Sequence, residues 1–66
     1  MNLFKLKAKI IEKGMNVEKL AEAIGIDRSG LYRRLNHFEK FTIGEANRIK
    51  EVLELTNEEA TDIFFS

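Results

Sequence analysis

The amino-acid sequence predicts a compact all-α domain of five short helices, and three observations carry that expectation. Apolar residues recur at spacings of three and four along most of the chain, and no window alternates apolar and polar residues for long. Asn16, Thr42 and Thr56 stand just ahead of apolar stripes, where a side-chain oxygen can accept free backbone N–H groups. Gly14 and Gly25 follow two of the stripes, and the chain has no proline to interrupt any of them.

The first helix is expected from Leu3 to Lys13, with Phe4, Ala8 and Ile11 stacked on one face and Leu3 and Ile10 beside them. Gly14 supplies its C-terminal cap. A second helix follows Asn16, with the stripe Val17, Leu20, Ala21 and Ile24, and ends at Gly25. A third starts near Asp27 or Arg28 and runs to about Asn36, with Leu31 and Leu35 turned inward. His37 to Phe41 reads as a loop. Thr42 and Glu45 have capping-box spacing ahead of a fourth helix, whose inner face is expected to be Ile43, Ala46, Ile49 and Leu53. Thr56 and Glu59 repeat that spacing before a short fifth helix containing Ala60, Ile63 and Phe64.

Length and composition exclude several classes of function. Sixty-six residues make one domain, 1–66, with a thin core. Without cysteine there is neither a disulfide framework nor a thiolate metal site, and the single histidine, His37, makes a zinc site unsupported. No phosphate-binding glycine loop or nucleophile–base signature is present. Glu58, Glu59 and Asp62 read as a solvated face near a helix N-terminus rather than a carboxylate site. The expectation is a protein that is not an enzyme and uses no cofactor, metal or small-molecule substrate. No apolar run reaches the roughly 20 residues of a membrane span, and the N-terminus lacks a signal-peptide core. A soluble, cytoplasmic protein is expected.

Charge is distributed unevenly although the net charge is zero. Residues 1–50 hold all eleven Lys and Arg against six acids, whereas residues 51–66 hold five acids and no base. This suggests a basic working surface with an acidic end facing away from it; two solvated helix faces of opposite bias are the plainer alternative.

Residues 17–36 are the most informative stretch. Two short helices joined by a tight glycine corner form a helix-turn-helix, and each constraint of that unit finds a residue. Close crossing of the helices needs a small side chain, supplied by Ala21. The corner needs positive φ, supplied by Gly25. The second helix needs an inward anchor, supplied by Leu31. A plain helical hairpin would use the same residues as core. The outward face of the third helix discriminates. At about 100° per residue, Ser29, Arg33 and Asn36 oppose Leu31 and Leu35, Tyr32 lies on the flank and Arg28 at the tip. From Arg28 to Asn36 there are three arginines and no acid. An arginine fork can donate to guanine O6 and N7 in the major groove, and Ser and Tyr can reach bases or phosphates.

Arg28, Ser29, Tyr32 and Arg33 are therefore the candidate base contacts. Arg34, nearer the core side, is assigned to a phosphate or to an intramolecular carboxylate. Asn16 and Val17 open a helix whose first N–H groups can hold a phosphate; Asn36, Lys40 and Thr42 lie just past the recognition helix and can clamp the same strand. Lys5, Lys9 and Lys13 are further phosphate candidates. Such contacts fix register and make affinity salt-dependent without reading sequence.

The stretch Val17–Asn36 resembles the helix-turn-helix of phage repressor and Cro-type regulators, and Phe41–Ala60 is similar to small phage regulators of Gram-positive bacteria. The resemblance covers nearly the whole chain. It implies a lambda-repressor-like fold and sequence-specific binding of a double-stranded DNA operator, usually as a dimer, in the transcription regulation of a phage or mobile element. By matching position, Arg28, Ser29 and Arg33 fall where that family touches bases. The sequence departs from the family in two ways. An aliphatic residue often stands where Arg34 is, with Leu35 one place later doing that work here, and there is no long N-terminal arm to wrap the duplex. Ile63, Phe64 and Phe65 crowd the chain end and either cover the first helix or pack across a two-fold dimer. Two other readings stay open: a protein-interaction module on the same fold, and an antitoxin or excision-type DNA-binding protein.

Overall fold

The computed structural model describes residues 2–37 and 41–65, with His37 described by its backbone alone. Five helices follow in chain order: α1 (Leu3–Glu12), α2 (Val17–Ile24), α3 (Arg28–His37), α4 (Ile43–Val52) and α5 (Asn57–Phe64). His37, expected to open a loop, is instead the last residue of α3, and residues 38–40, Lys40 among them, lie outside the described residues.

Local chemistry sets the helix ends. Asn2 and Asn16 cap α1 and α2 by accepting the N–H groups of Lys5 and Lys19. Asp27 does the same for α3, its carboxylate accepting the N–H of Ser29 at 3.1 Å. Thr42–Glu45 and Thr56–Glu59 close complete capping boxes on α4 and α5. The segments after α1, α2 and α4 all turn through a left-handed residue: Gly14 at φ 71°, Gly25 at φ 76° and, without glycine, Glu54 at φ 53°. In each case the next residue donates back into the last turn, Met15 to Ile10, Ile26 to Ala21 and Leu55 to Lys50. These paired bonds satisfy carbonyls that would otherwise be orphaned. At Glu54 they hold a conformation that a side chain with a Cβ disfavours.

The core is built from Leu6 and Ile10 of α1, Leu20, Ala21 and Ile24 of α2, Leu31 and Leu35 of α3, Ile49 of α4, Leu53 and Leu55 after it, and Ile63 of α5. α2 packs on both α3 and α4, and α1 packs on α5. The two ends of the fold are tied by the N–H of Asn2, which donates to the Ile63 carbonyl at 2.7 Å.

Two expected faces are corrected. On α1 the buried stripe is Leu3, Leu6 and Ile10, while Phe4 and Ile11 are 86% and 75% exposed. Both stripes have helical spacing and lie about 140° apart around the helix. The buried one presents three large aliphatic side chains, whereas the exposed one has only Ala8 at its centre, so the former removes more apolar surface from water. On α4, Ile43 is 83% exposed and Glu45 is buried in its place. The capping box folds the Glu45 side chain back over the start of α4, and Arg34 meets it there.

Candidate nucleic-acid interface

The helix-turn-helix is α2, the corner at Gly25 and α3. Leu20, Ala21 and Ile24 seat α2 in the core, and Leu31 and Leu35 seat α3. Fixing those residues inward fixes the opposite face outward. Arg28, Ser29, Tyr32, Arg33 and Asn36 are all exposed on α3, Tyr32 by 45%. Gly30, half-buried between them, has open space where a Cβ would stand.

Arg28 is not idle on this surface. Its Nη1 donates to Glu18 of α2 at 2.8 Å, and both side chains are about 60% exposed. Exposed pairs of this kind contribute about 0–1 kcal/mol, so a phosphate or guanine edge can displace Glu18 at small cost. Arg34 takes the carboxylate option of its two expected roles. It lies 2.8 Å from Glu45, with side chains 22% and 10% exposed, and its guanidinium sits 5.8 Å from the centroid of the Phe41 ring. The N–H groups of that nitrogen are not aimed along a hydrogen-bond line, so the contact is a close ion pair rather than an aligned bond. Its guanidinium is thus engaged by Glu45 and Phe41 and is not presented to a phosphate.

The phosphate candidates divide by position. Asn16 spends its side-chain oxygen on Lys19, while the N–H groups of Val17 and Glu18 lack partners within the helix, as first-turn groups do. The carboxylate of Glu18 stands in that same turn and acts against an anion there until Arg28 neutralises it. Asn36 is exposed at the far end of α3. Thr42 is exposed too, its Oγ1 accepting the N–H of Glu45 at 3.1 Å and its hydroxyl hydrogen still able to donate. The candidate contact at Lys40 falls outside the described residues.

Two of the α1 lysines are drawn to α5. Lys9 pairs with Glu59 of α5 and, at 3.1 Å, with Glu12; Lys5 lies 3.8 Å from Asp62. Lys9 and the Thr56 N–H pull the Glu59 carboxyl down to about 2, and Glu59 and Glu12 in turn raise the Lys9 ammonium above its ordinary value. The acidic α5 thus takes up Lys5 and Lys9, while Lys7 and the candidate Lys13 are exposed.

Three residues that organise this surface were not singled out by sequence reasoning in those roles. Arg48 of α4 donates to the Ile24 carbonyl at 3.0 Å and closes the C-terminus of α2 beside the corner. Nothing in the spacing of Arg48 relative to its own helix announces that bond, because its acceptor is 24 residues away. Glu18 was legible only as a first-turn acid, and Glu45 only as a capping residue. Among the described residues, no group of His, Asp and Glu is placed to hold a metal ion, and no helix is long and apolar enough to cross a membrane.

A family model described as a Cro/C1-type HTH DNA-binding domain matches residues 5–64 of the chain. No curated protein and no solved structure matches it.

Proposed function

Because the chain belongs to the Cro/C1-type helix-turn-helix DNA-binding family, whose domains serve transcription regulation, we propose that it reads one operator sequence by laying α3 in the major groove. Membership gives duplex DNA binding; the operator, the contacting residues and the circuit are our reading. The observation that carries it is the outward face of α3, which from Arg28 to Asn36 holds no acid and presents Ser29, Tyr32 and Arg33 opposite a buried Leu31 and Leu35. Arg28 and Arg33 take guanine edges, Arg28 leaving Glu18 to do so. Ser29 and Tyr32 take neighbouring bases. The first-turn N–H groups behind Asn16, with Asn36, Lys40 and Thr42, hold phosphates.

In this reading the protein is a repressor or Cro-like regulator of a phage or mobile element, working in the bacterial cytoplasm without cofactor or catalysis. An antitoxin or excision factor would use the same contacts in a different circuit. Two copies on a pseudo-palindrome would place their recognition helices about one turn of DNA apart. Ile63 is in the core and Phe64 half-buried, so of the three apolar residues at the chain end only Phe65, 83% exposed, is left for a partner copy. It borders a groove of about 650 Å³ between α4 and α5, next to the equally exposed Ile43.

Selection of duplexes from a random library, followed by mobility shifts with the wild type and Arg33→Ala, tests the proposal. One enriched sequence, bound less well and less selectively by the variant, is expected; unchanged preference removes Arg33 from base reading. The alternative of a protein-interaction module is favoured by one observation, the exposed Phe4 and Ile11 on α1. It predicts no enriched sequence and no salt-dependent binding to any duplex.

A further inference from the structure

We propose that Arg34 and Glu45 form a clamp that sets the roll of the recognition helix about its own axis, making both positioning residues for sequence reading. This rests on the operator-binding reading above. Leu31 and Leu35 lie about 40° apart around α3, so together they pin it along a single line. A helix held along one line can roll. Arg34 lies roughly 80° to one side of that line, at the margin between core and surface. Its ion pair with Glu45 at 2.8 Å is a second line of attachment.

The anchor at the other end is itself fixed. Glu45 is 8% exposed, one of its oxygens accepts the Thr42 N–H at 2.9 Å, and its own N–H donates to Thr42 Oγ1. Its carboxylate therefore joins the first turn of α4 to the second half of α3. Phe41 lies against the Arg34 guanidinium, and its ring meets Phe64 of α5 edge-on, with centroids 6.1 Å apart and planes at 85°. The planar guanidinium is thus bounded by a carboxylate and by a ring that is backed in turn by α5. Lysine, a point charge on a flexible stem, cannot fill both contacts.

Roll matters because base reading is done on the far side of the helix. Side-chain tips stand about 6 Å from a helix axis, so a roll of about 10° moves Ser29 and Arg33 by about 1 Å. Contacts of this kind need placement within about 0.5 Å. Phosphate contacts tolerate such a shift better, because a cation's attraction to an anion varies smoothly with distance. Loosening the clamp should therefore lower discrimination between sequences and leave general DNA affinity in place.

The test uses the duplex that the wild type selects from a random library and a scrambled duplex of equal length. Affinities for both are measured over a range of salt for the wild type, Arg34→Lys and the double variant Arg34→Met with Glu45→Gln. The lysine variant keeps the charge, and the double variant leaves no unpaired buried charge behind. The ratio of selected to scrambled affinity is expected to fall about tenfold or more in both, with scrambled affinity and salt slope unchanged. Tyr32 is the only tyrosine and the chain has no tryptophan, so its near-ultraviolet circular dichroism reports on α3 directly and should change in both variants without DNA. A wild-type ratio in either folded variant overturns the clamp. So does a parallel loss on both duplexes with a salt slope lower by about one, since Arg34 would then be a phosphate contact. Unfolding of the lysine variant overturns it as well, by making the pair a stability element. If the wild type selects no sequence, the operator reading fails; the clamp is then decided by Tyr32, and an unchanged spectrum in the folded variants rejects it.

Discussion

α1 and α3 are both ten residues long and both basic, yet their charges meet different neighbours. Residues 3–12 carry three lysines and residues 28–37 three arginines, and by charge alone either helix could meet a phosphate backbone. Neighbours separate them. α1 lies against α5, whose acids take up Lys9 and Lys5 and so help hold the two ends of the fold together. α3 lies against α2; its Arg28 pairs with Glu18 at the exposed tip, its Arg34 pairs with Glu45 at the core margin, and Arg33 and Ser29 are both exposed. A basic helix can serve as a DNA surface only if no acidic helix covers it, and in the proposed function tertiary packing gives that role to α3.

The largest effect that can break this comparison is on stability. Leu6 is fully buried on α1 and Phe4 is 86% exposed. Leu6→Ala should cost about 2–5 kcal/mol, a large share of the roughly 3–10 kcal/mol a domain of this length has. Phe4→Ala should stay within about 0.5 kcal/mol. Urea unfolding of the two variants checks both values; equal losses would mean that α1 is not oriented as described.

The second contrast is in DNA binding. Arg33→Ala should weaken binding to the selected operator by about 1–3 kcal/mol, roughly 5- to 150-fold, while Lys9→Ala changes it by less than about twofold because Lys9 is already held by Glu59. Fluorescence anisotropy at fixed salt measures the pair of effects, and a larger loss for Lys9→Ala would reverse the roles assigned to the two helices.

How much of this was legible beforehand differs element by element. Helix order, the corner at Gly25 and the capping boxes at Thr42 and Thr56 could be read because each depends on residues within about four positions of one another. The inward side of α3 could be read because only Leu31 and Leu35 are large and apolar there. The inward side of α1 could not be read: Phe4–Ala8–Ile11 and Leu3–Leu6–Ile10 satisfy the same periodicity, and the winner depends on what α5 brings to the contact. Ile43 was misplaced for a related reason. It fits the α4 stripe, but the capping box and Arg34 draw Glu45 inward instead. The acidic chain end was expected to face away from a basic surface; what the structure shows is that its Asp62 and Glu59 pair with Lys5 and Lys9 of α1. At the site, residue types and outward direction on α3 were visible, and the partners of Arg28, Arg34 and Arg48 were not. Those partners lie 10, 11 and 24 residues away in sequence.

A smaller effect sharpens the account of Arg28. Glu18→Gln removes the acid that holds it and also removes a negative charge from the first turn of α2. Operator affinity should then rise, by up to about 1 kcal/mol or some fivefold, since about 0–1 kcal/mol is the range of an exposed pair. The gain should shrink as salt is raised, because the interaction lies in solvent. A loss of affinity in this variant would mean that Glu18 positions Arg28 for the groove instead of withholding it.

The smallest effect concerns the link between α1 and α5 and appears only in acid. The Glu59 carboxyl is held at about 2, against an ordinary 4.5, by Lys9 first and then by the Thr56 N–H. A carboxyl whose value is lowered in the folded state stabilises that state wherever it is ionised. Its contribution is complete above about pH 4.5 and drains away as the pH falls from there toward 2, where the folded protein also takes up the proton. Melting temperature should therefore drop through that window more steeply in the wild type than in Glu59→Gln, and the two curves should converge at its lower end. Both groups are exposed enough for salt to mute the difference, so the comparison belongs at low ionic strength. Parallel curves from pH 5 to pH 2 would show that Glu59 and Lys9 contribute no pH-dependent tie between the two ends of the fold.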